Sequence, residues 1–163
     1  MKKIIIISIL SIFFLSSKSQ NKFGHINAQE ILMLMPEAKK ADATIKEQDK
    51  NIKTALESML AEMQSIEANY KQNEATYNEA QRQDEQKKYQ DLVGRMQLYE
   101  RNSYADLEKL QANLLAPIEE KLQDAIDEVA KEGGFTYIFA DGFMHYKDQK
   151  NDIGPMVKQK LGL

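Results

Sequence analysis

The chain has 163 residues, 29% of them charged, with a formal charge of −3 and neither Cys nor Trp. Disulfides and thiol chemistry are therefore excluded. His25 and His145 are the only histidines and stand in no paired spacing, so a metal centre has too few donors. An acidic chain is also a poor partner for nucleic acid.

Residues 1–19 read as a secretory signal peptide. Lys2 and Lys3 form a positive start, Ile4 to Leu15 an apolar core, and Ser17 and Ser19 the small residues before a cut between Ser19 and Gln20. The apolar core is shorter than the ~20 residues that span a bilayer. No Cys follows it to accept a lipid. An uncleaved anchor is the alternative. Cleavage removes three lysines and takes the formal charge from −3 to −6. Export also agrees with, without requiring, the absence of Cys.

Lys22–Asn27 is a candidate strand, with Phe23, His25 and Asn27 on one face and Gly24 and Ile26 on the other. An apolar turn, Ile31–Met35, leads to Pro36, which suits the first turn of a helix because its missing N–H costs nothing there.

From Pro36 to about Ala130 apolar residues recur every three or four positions. They are Ile45, Ile52, Leu56, Met59, Met63, Ile66 and Tyr70, then Tyr89, Val93, Met96, Leu107, Leu110 and Leu114. That heptad spacing predicts coiled-coil helix. Between residues 37 and 116 twelve Lys/Arg and fifteen Asp/Glu alternate, as on a solvated exterior. The run breaks near 75–78. Asn78 followed by Gln81 is a capping-box variant, so a second helix should start at Glu79. Two arms of roughly 60 Å at ~1.5 Å per residue would fold back antiparallel. A single helix of about 140 Å is the competing reading, and the cap signal where two near-equal arms meet favours the hairpin.

Pro117 should bend the second arm or restart it. Ile118, Leu122, Ala125, Ile126 and Val129 carry the amphipathic pattern on to Glu132, and Gly133-Gly134 should end the helix. Phe135–Ala140 reads as a strand, Asp141-Gly142 as a hairpin turn, and Phe143–Lys147 as the returning partner. Pro155 should open a last short helix with Met156, Val157 and Leu161 on one face. Three short strands bury little. Oligomerisation is the expected remedy, with Ile26, Phe135, Tyr137, Ile138, Phe139 and Met144 as the interface residues.

Several pieces in this order resemble the Skp (OmpH-like) family of periplasmic chaperones. The first is Ala28-Gln29-Glu30-Ile31-Leu32 with Met35-Pro36-Glu37, followed by the Lys/Glu/Gln-rich hairpin. Leu115-Ala116-Pro117-Ile118 then runs through Val129–Phe139 to the terminal Lys160-Leu161-Gly162-Leu163. The resemblance implies an α+β fold: a long antiparallel coiled-coil hairpin (36–116) projecting from a small β-body (20–35 and 117–163), assembled as a homotrimer. It further implies an ATP-independent holdase in the periplasm of a Gram-negative bacterium, binding unfolded outer-membrane β-barrel proteins between the arms. No cofactor is implied, and the expected contact with a membrane surface is at most transient. Better-known members look strongly basic and this chain is acidic, so a lipid-contacting basic patch does not carry over.

On the seam assignment above, Leu60, Leu92, Leu98, Tyr99 and Tyr104 fall off the packing seam and are the client-binding candidates. Met, Leu and Tyr together can hold many unrelated apolar segments; the plain alternative is ordinary scattered surface residues. Glu100 and Ser103 would sit in the seam. Gly94 would either flex the arm or make room for Met59 or Leu60 opposite, the second being preferred. No phosphate loop, nucleophile motif or ligand cluster supports an enzyme. The serious alternative to a chaperone is an exported coiled-coil spacer or adaptor that binds a fixed envelope partner.

Overall fold

The computed structural model describes residues 21–163. The signal peptide and its cut between Ser19 and Gln20 lie outside the described residues. In chain order the elements are β1 (Phe23–Ile26), α1 (Ala28–Leu34), α2 (Pro36–Asn73), α3 (Glu79–Gly133), β2 (Tyr137–Ala140), single 3-10 turns at Asp141–Phe143 and Gln149–Asn151, and α4 (Gly154–Leu161). The chain divides into two compact units. One is the arm, Gln29–Leu122, which extends past the expected 36–116 at both ends; the other holds, among the described residues, 21–28 together with Gln123–Leu163.

The arm is a helical hairpin. Pro36 occupies the first turn of α2, as its missing donor allows. The reversal is closed by a reciprocal capping box: Asn78 N–H donates to Gln81 Oε1 and Gln81 N–H to Asn78 Oδ1, both at 2.9 Å. Arg82 braces the turn by donating to the carbonyls of Tyr77 and Glu74. Partners across the hairpin run in opposite directions, Glu37 with Lys121 and Glu62 with Arg95, which fixes the antiparallel order. Such exposed pairs orient the helices more than they stabilise them. The stabilising term is burial along the seam, where Ala41, Ile52, Leu92 and Ile118 are almost wholly enclosed.

At Pro117 the expectation of a restart fails. α3 runs unbroken through that position. Proline removes one intrahelical hydrogen bond, and burial of Ile118 and Leu122 immediately after it outweighs that local loss. Ile31–Met35 likewise is more than a turn: α1 is a seven-residue helix whose Ile31 is buried.

In the other unit β1 and β2 pair in parallel, with Phe23 opposite Tyr137 and Ile26 opposite Ala140. The expected antiparallel hairpin between 135–140 and 143–147 does not form. Asp141–Phe143 makes a 3-10 turn instead, and 144–148 is irregular. The chain after β2 is instead drawn back across β1. Its second edge is taken by Asp152, and Ile153 N–H donates to the His25 carbonyl at 3.0 Å. Asp141 is held as well: its carboxylate meets His25 Nδ1 at 2.7 Å and the ammonium of Lys147, while His25 Nε2 donates to the Asp148 carbonyl at 3.0 Å. These bonds fold 141–153 over His25 and bury it, although the alternation of β1 had left its face unassigned to any core.

α3 ends in a Schellman motif. Gly134 takes φ +66°, Phe135 N–H reaches the Ala130 carbonyl at 2.9 Å, and Gly134 N–H reaches Lys131 at 3.2 Å. The Phe135 ring then lies against Gly24 and Gly133, where an added Cβ would come within 3.0 Å and 2.5 Å of ring atoms. The Lys22 ammonium sits 4.0 Å from the ring centroid and donates to the Gly133 carbonyl at 2.8 Å. α4 repeats the cap at Gly162, φ +73°.

Two outcomes test this unit. Gly133→Ala should lower stability by about 1–3 kcal/mol, since the rigid Phe135 ring has to move; a thermal melt within experimental error of the parent would refute the clasp. Burial of Asp141 opposes its charge, yet Lys147 and His25 outweigh burial and hold its pKa below the ordinary carboxylate value of 3.8. A depressed folded pKa contributes stability above the unfolded value and loses it as pH falls through the folded one. Asp141→Asn should therefore destabilise the protein at neutral pH by about 1–3 kcal/mol. The difference between the two proteins should narrow in denaturant titrations below pH 4.

Candidate functional site

A chain that holds other polypeptides needs apolar side chains left over once its own packing is complete, so the seam has to be assigned first. On α2 the inward positions are Ala41, Ile45, Asp49, Ile52, Leu56, Met59, Met63, Ile66, Tyr70 and Asn73, each buried or half-buried. On α3 they are Glu85, Tyr89, Leu92, Met96, Tyr99, Ser103, Leu107, Leu110, Leu114 and Ile118. Both sets advance by steps of three or four, the spacing of knobs-into-holes packing.

This corrects the expected register in the middle of α3. Leu92, expected to be free for clients, is 1% exposed and belongs to the seam. Tyr99 is half-buried at a seam position and Glu100 is exposed. The error came from running the heptad through Val93, which is only half-buried. Two adjacent apolar residues, Leu92 and Val93, make either register plausible from spacing alone. The first sits at the centre of the interface and the second on its flank.

Leu60, Leu98 and Tyr104 do stay outside, 44%, 49% and 38% exposed. Their heptad positions separate them. Glu62 and Arg95 each precede a seam residue, and their 3.6 Å contact marks one flank of the hairpin. Leu60 and Val93 each follow a seam residue and so lie along the other flank. Tyr104 joins that second flank, since it follows the seam residue Ser103. Leu98 sits one turn beyond Arg95, on the first flank. The five candidates therefore reduce to Leu60 and Tyr104 on the flank that Val93 shares, a separate Leu98, and two seam residues, Leu92 and Tyr99.

Gly94 is exposed, and no atom lies within 4 Å of where its Cβ would be. Making room for Met59 or Leu60 is therefore not its role. What it does is weaken α3 locally, since Gly is about 1 kcal/mol less favourable than Ala inside a helix.

In the other unit the six expected interface residues divide as well. Ile26 is 4% exposed within its own chain and can offer nothing to a partner. Phe135 is clasped by Gly24 and Gly133, and Ile138 and Met144 are half-buried. Tyr137 and Phe139 remain on the surface and share it with Phe23, a residue the sequence reading had left out. The three rings are mutually close, with centroids 5.9 Å (Phe23–Tyr137), 6.1 Å (Phe23–Phe139) and 6.4 Å (Tyr137–Phe139) apart. The signal was available: parallel register puts alternate residues of β1 and β2 on one face. Phe143, at the end of the 3-10 turn, and Tyr146, in the irregular stretch that follows, are 92% and 85% exposed.

The sequence matches the family described as outer membrane protein (OmpH-like) over residues 22–161. The chain belongs to this family. A search of curated protein sequences finds no match. Among solved structures the OmpH-like chain is similar to an OmpH-like outer membrane chaperone candidate from Caulobacter crescentus CB15, with a TM-score of 0.76. The likeness covers 87% of this chain and 84% of that one at 12% identity, which speaks to the fold. Two long helices and a small sheet at the joined chain ends thus recur on a sequence that is almost entirely different.

Stability should follow the seam as assigned. Ile52→Ala and Leu92→Ala should each cost about 2–5 kcal/mol, while Leu98→Ser should stay within about 0.5 kcal/mol. Gly94→Ala should stabilise the arm by about 1 kcal/mol with no steric penalty. Thermal melts followed by far-UV circular dichroism measure all four. A tolerant Leu92 would restore the Val93 register.

Proposed function

We propose that this OmpH-like protein is an ATP-independent holdase of the Gram-negative periplasm that keeps unfolded outer-membrane β-barrel proteins from aggregating. Membership of the OmpH-like family over residues 22–161 supports a chaperone role. The single observation that carries the finer reading is the arm itself: its seam is anchored by Ile52, Leu92 and Ile118, yet Leu60, Leu98 and Tyr104 stand outside it. A spacer has no use for apolar residues spread along a solvated rod, whereas a holdase needs them diffuse. Their scatter over two flanks suits many weak contacts better than one fixed partner.

The working form on this reading is a homotrimer whose three hairpins enclose the client. Support comes from the exposed rings of Phe23, Tyr137 and Phe139, and from β2, which pairs with β1 alone. Two strands are too few to be independently stable, and further copies of the chain would cover both features. The mature chain's formal charge of −6 leaves long-range attraction of acidic lipids out of the mechanism. Client capture then rests on apolar contact, and release on the weakness of each contact.

Light scattering of a urea-unfolded β-barrel protein, diluted with and without the chain, is the primary test. Suppression near one trimer per client without nucleotide is expected; unchanged scattering across a wide excess would return the spacer. Sedimentation should give a trimer for the parent and a smaller species for Phe139→Asp, since a charge buried unpaired at an interface costs several kcal/mol. A well-folded monomeric parent overturns the assembly. Combining Leu60→Ser, Leu98→Ser and Tyr104→Ser should weaken suppression progressively with little change in melting temperature. Full suppression by the triple variant would place the client surface elsewhere.

A further inference from the structure

Close to the chain reversal the seam has a gap. Counting back from Leu92 and Tyr89, the next inward position is Glu85. An apolar knob belongs there. The Glu85 carboxylate instead pairs with Lys88 Nζ on its own helix at 2.8 Å. Ile66, Tyr70 and Tyr89 are left as the floor of an open groove of about 600 Å³, rimmed by Glu67, Lys71 and Arg82. Its walls are held in place. Arg82 is bonded to two backbone carbonyls of the turn, and the Tyr89 hydroxyl donates to Glu67.

We propose that this groove receives one apolar side chain of an unfolded polypeptide, seated where a seam leucine would otherwise lie, and that an acidic neighbour in that polypeptide strengthens the contact. The proposal rests on the holdase reading and gives it a defined site. The occupant's chemistry follows from the lining. The floor is apolar and aromatic, so it gains from covering. The groove is open to solvent, so the occupant comes from outside the arm. Unfolded chains present single apolar residues freely, which folded surfaces do more sparingly. The rim decides the flank. Glu67 is bonded by Tyr89, Glu85 by Lys88, and Arg82 by carbonyls. Lys71 is the one rim charge with no partner among the described residues. An Asp or Glu beside the inserted residue would meet it.

The chain contains no Trp, so a short acetylated and amidated peptide with one Trp between two aspartates gives an emission signal of its own. Titrating the full chain should produce a saturable blue shift. Replacing the aspartates by lysines should weaken binding about two- to fivefold, the scale of one exposed ion pair. Glu85→Leu supplies the missing knob from within, so affinity should fall at least tenfold while the melting temperature rises. Lys71→Glu, at an exposed position, should invert the preference between the two peptides even if the first variant folds poorly. Absence of a saturable shift, parent-like affinity in Glu85→Leu, or an unchanged preference in Lys71→Glu each overturns the groove. The aggregation assay run on the same samples keeps the two readings apart. Suppression by the parent together with unaffected peptide binding in Glu85→Leu removes the groove and leaves the holdase. Peptide binding that responds to both substitutions without suppression keeps the groove and removes the holdase.

Discussion

The parallel pairing of Phe23–Ile26 with Tyr137–Ala140 is the constraint from which the rest of the chain follows. Parallel strands cannot be joined by a tight turn; they need a crossover, usually helical. Here the crossover is the long helical arm. Everything between Ile26 and Tyr137 leaves one strand and returns to begin the next, and an antiparallel pair of long helices does that with its two ends together. The entropic cost of closing a long connection rises only slowly with its length. Lengthening the arms is therefore cheap for the sheet. The sheet itself must still be held, and three devices hold it: the Schellman cap at Gly134, the Phe135 ring between two glycines, and His25 under the 141–153 segment.

Much of this was legible because it is local. Pro36 at a helix start, Asn78 with Gln81 at the reversal, Gly134 at a helix end and Pro155 opening α4 are all chemistry within a few residues. Each one has a single satisfying geometry. What was misread depends on partners distant in sequence. Asp141-Gly142 has the composition of a hairpin turn, but His25 claims the carboxylate from 116 residues away. Phe143–Lys147 has strand composition, but Lys147 is bonded to Asp141 and the Asp148 carbonyl to His25. Ile26 and Phe135 read as surface because each is covered by residues more than a hundred positions away, Ile26 by β2 and Phe135 by Gly24.

The seam error has a different origin. Heptad reading assigns about one residue per turn, and Leu92-Val93 offers two of nearly equal hydrophobicity. Spacing cannot choose between them. What chooses is the continuity of the set on both sides: Tyr89, Leu92, Met96 and Tyr99 alternate three and four without a break, whereas a run through Val93 needs Glu100 inside. A charged residue required at a seam position was the available warning. Glu85 shows why that warning is incomplete, since it does occupy an inward position and escapes by pairing with Lys88.

Polar residues recur in this seam, and their distribution bears on how the arm works. Asp49, Asn73, Glu85 and Ser103 interrupt the apolar series, and Gly94 adds a weak point in α3. None is buried deeply enough to break the hairpin, because each short side chain turns to solvent or to a neighbour such as Lys53 or Lys88. Each nevertheless removes apolar area that a leucine would have buried. The cumulative effect is an arm whose helices stay paired through Ile52, Leu92 and Ile118 but are loosely joined between those anchors. Regions with few buried apolar contacts open at low free energy. An arm built to maximal stability would fill those positions. One that must adapt to many unfolded chains gains from leaving them open, and the same omission that softens the seam exposes the tyrosines and isoleucine beside Glu85.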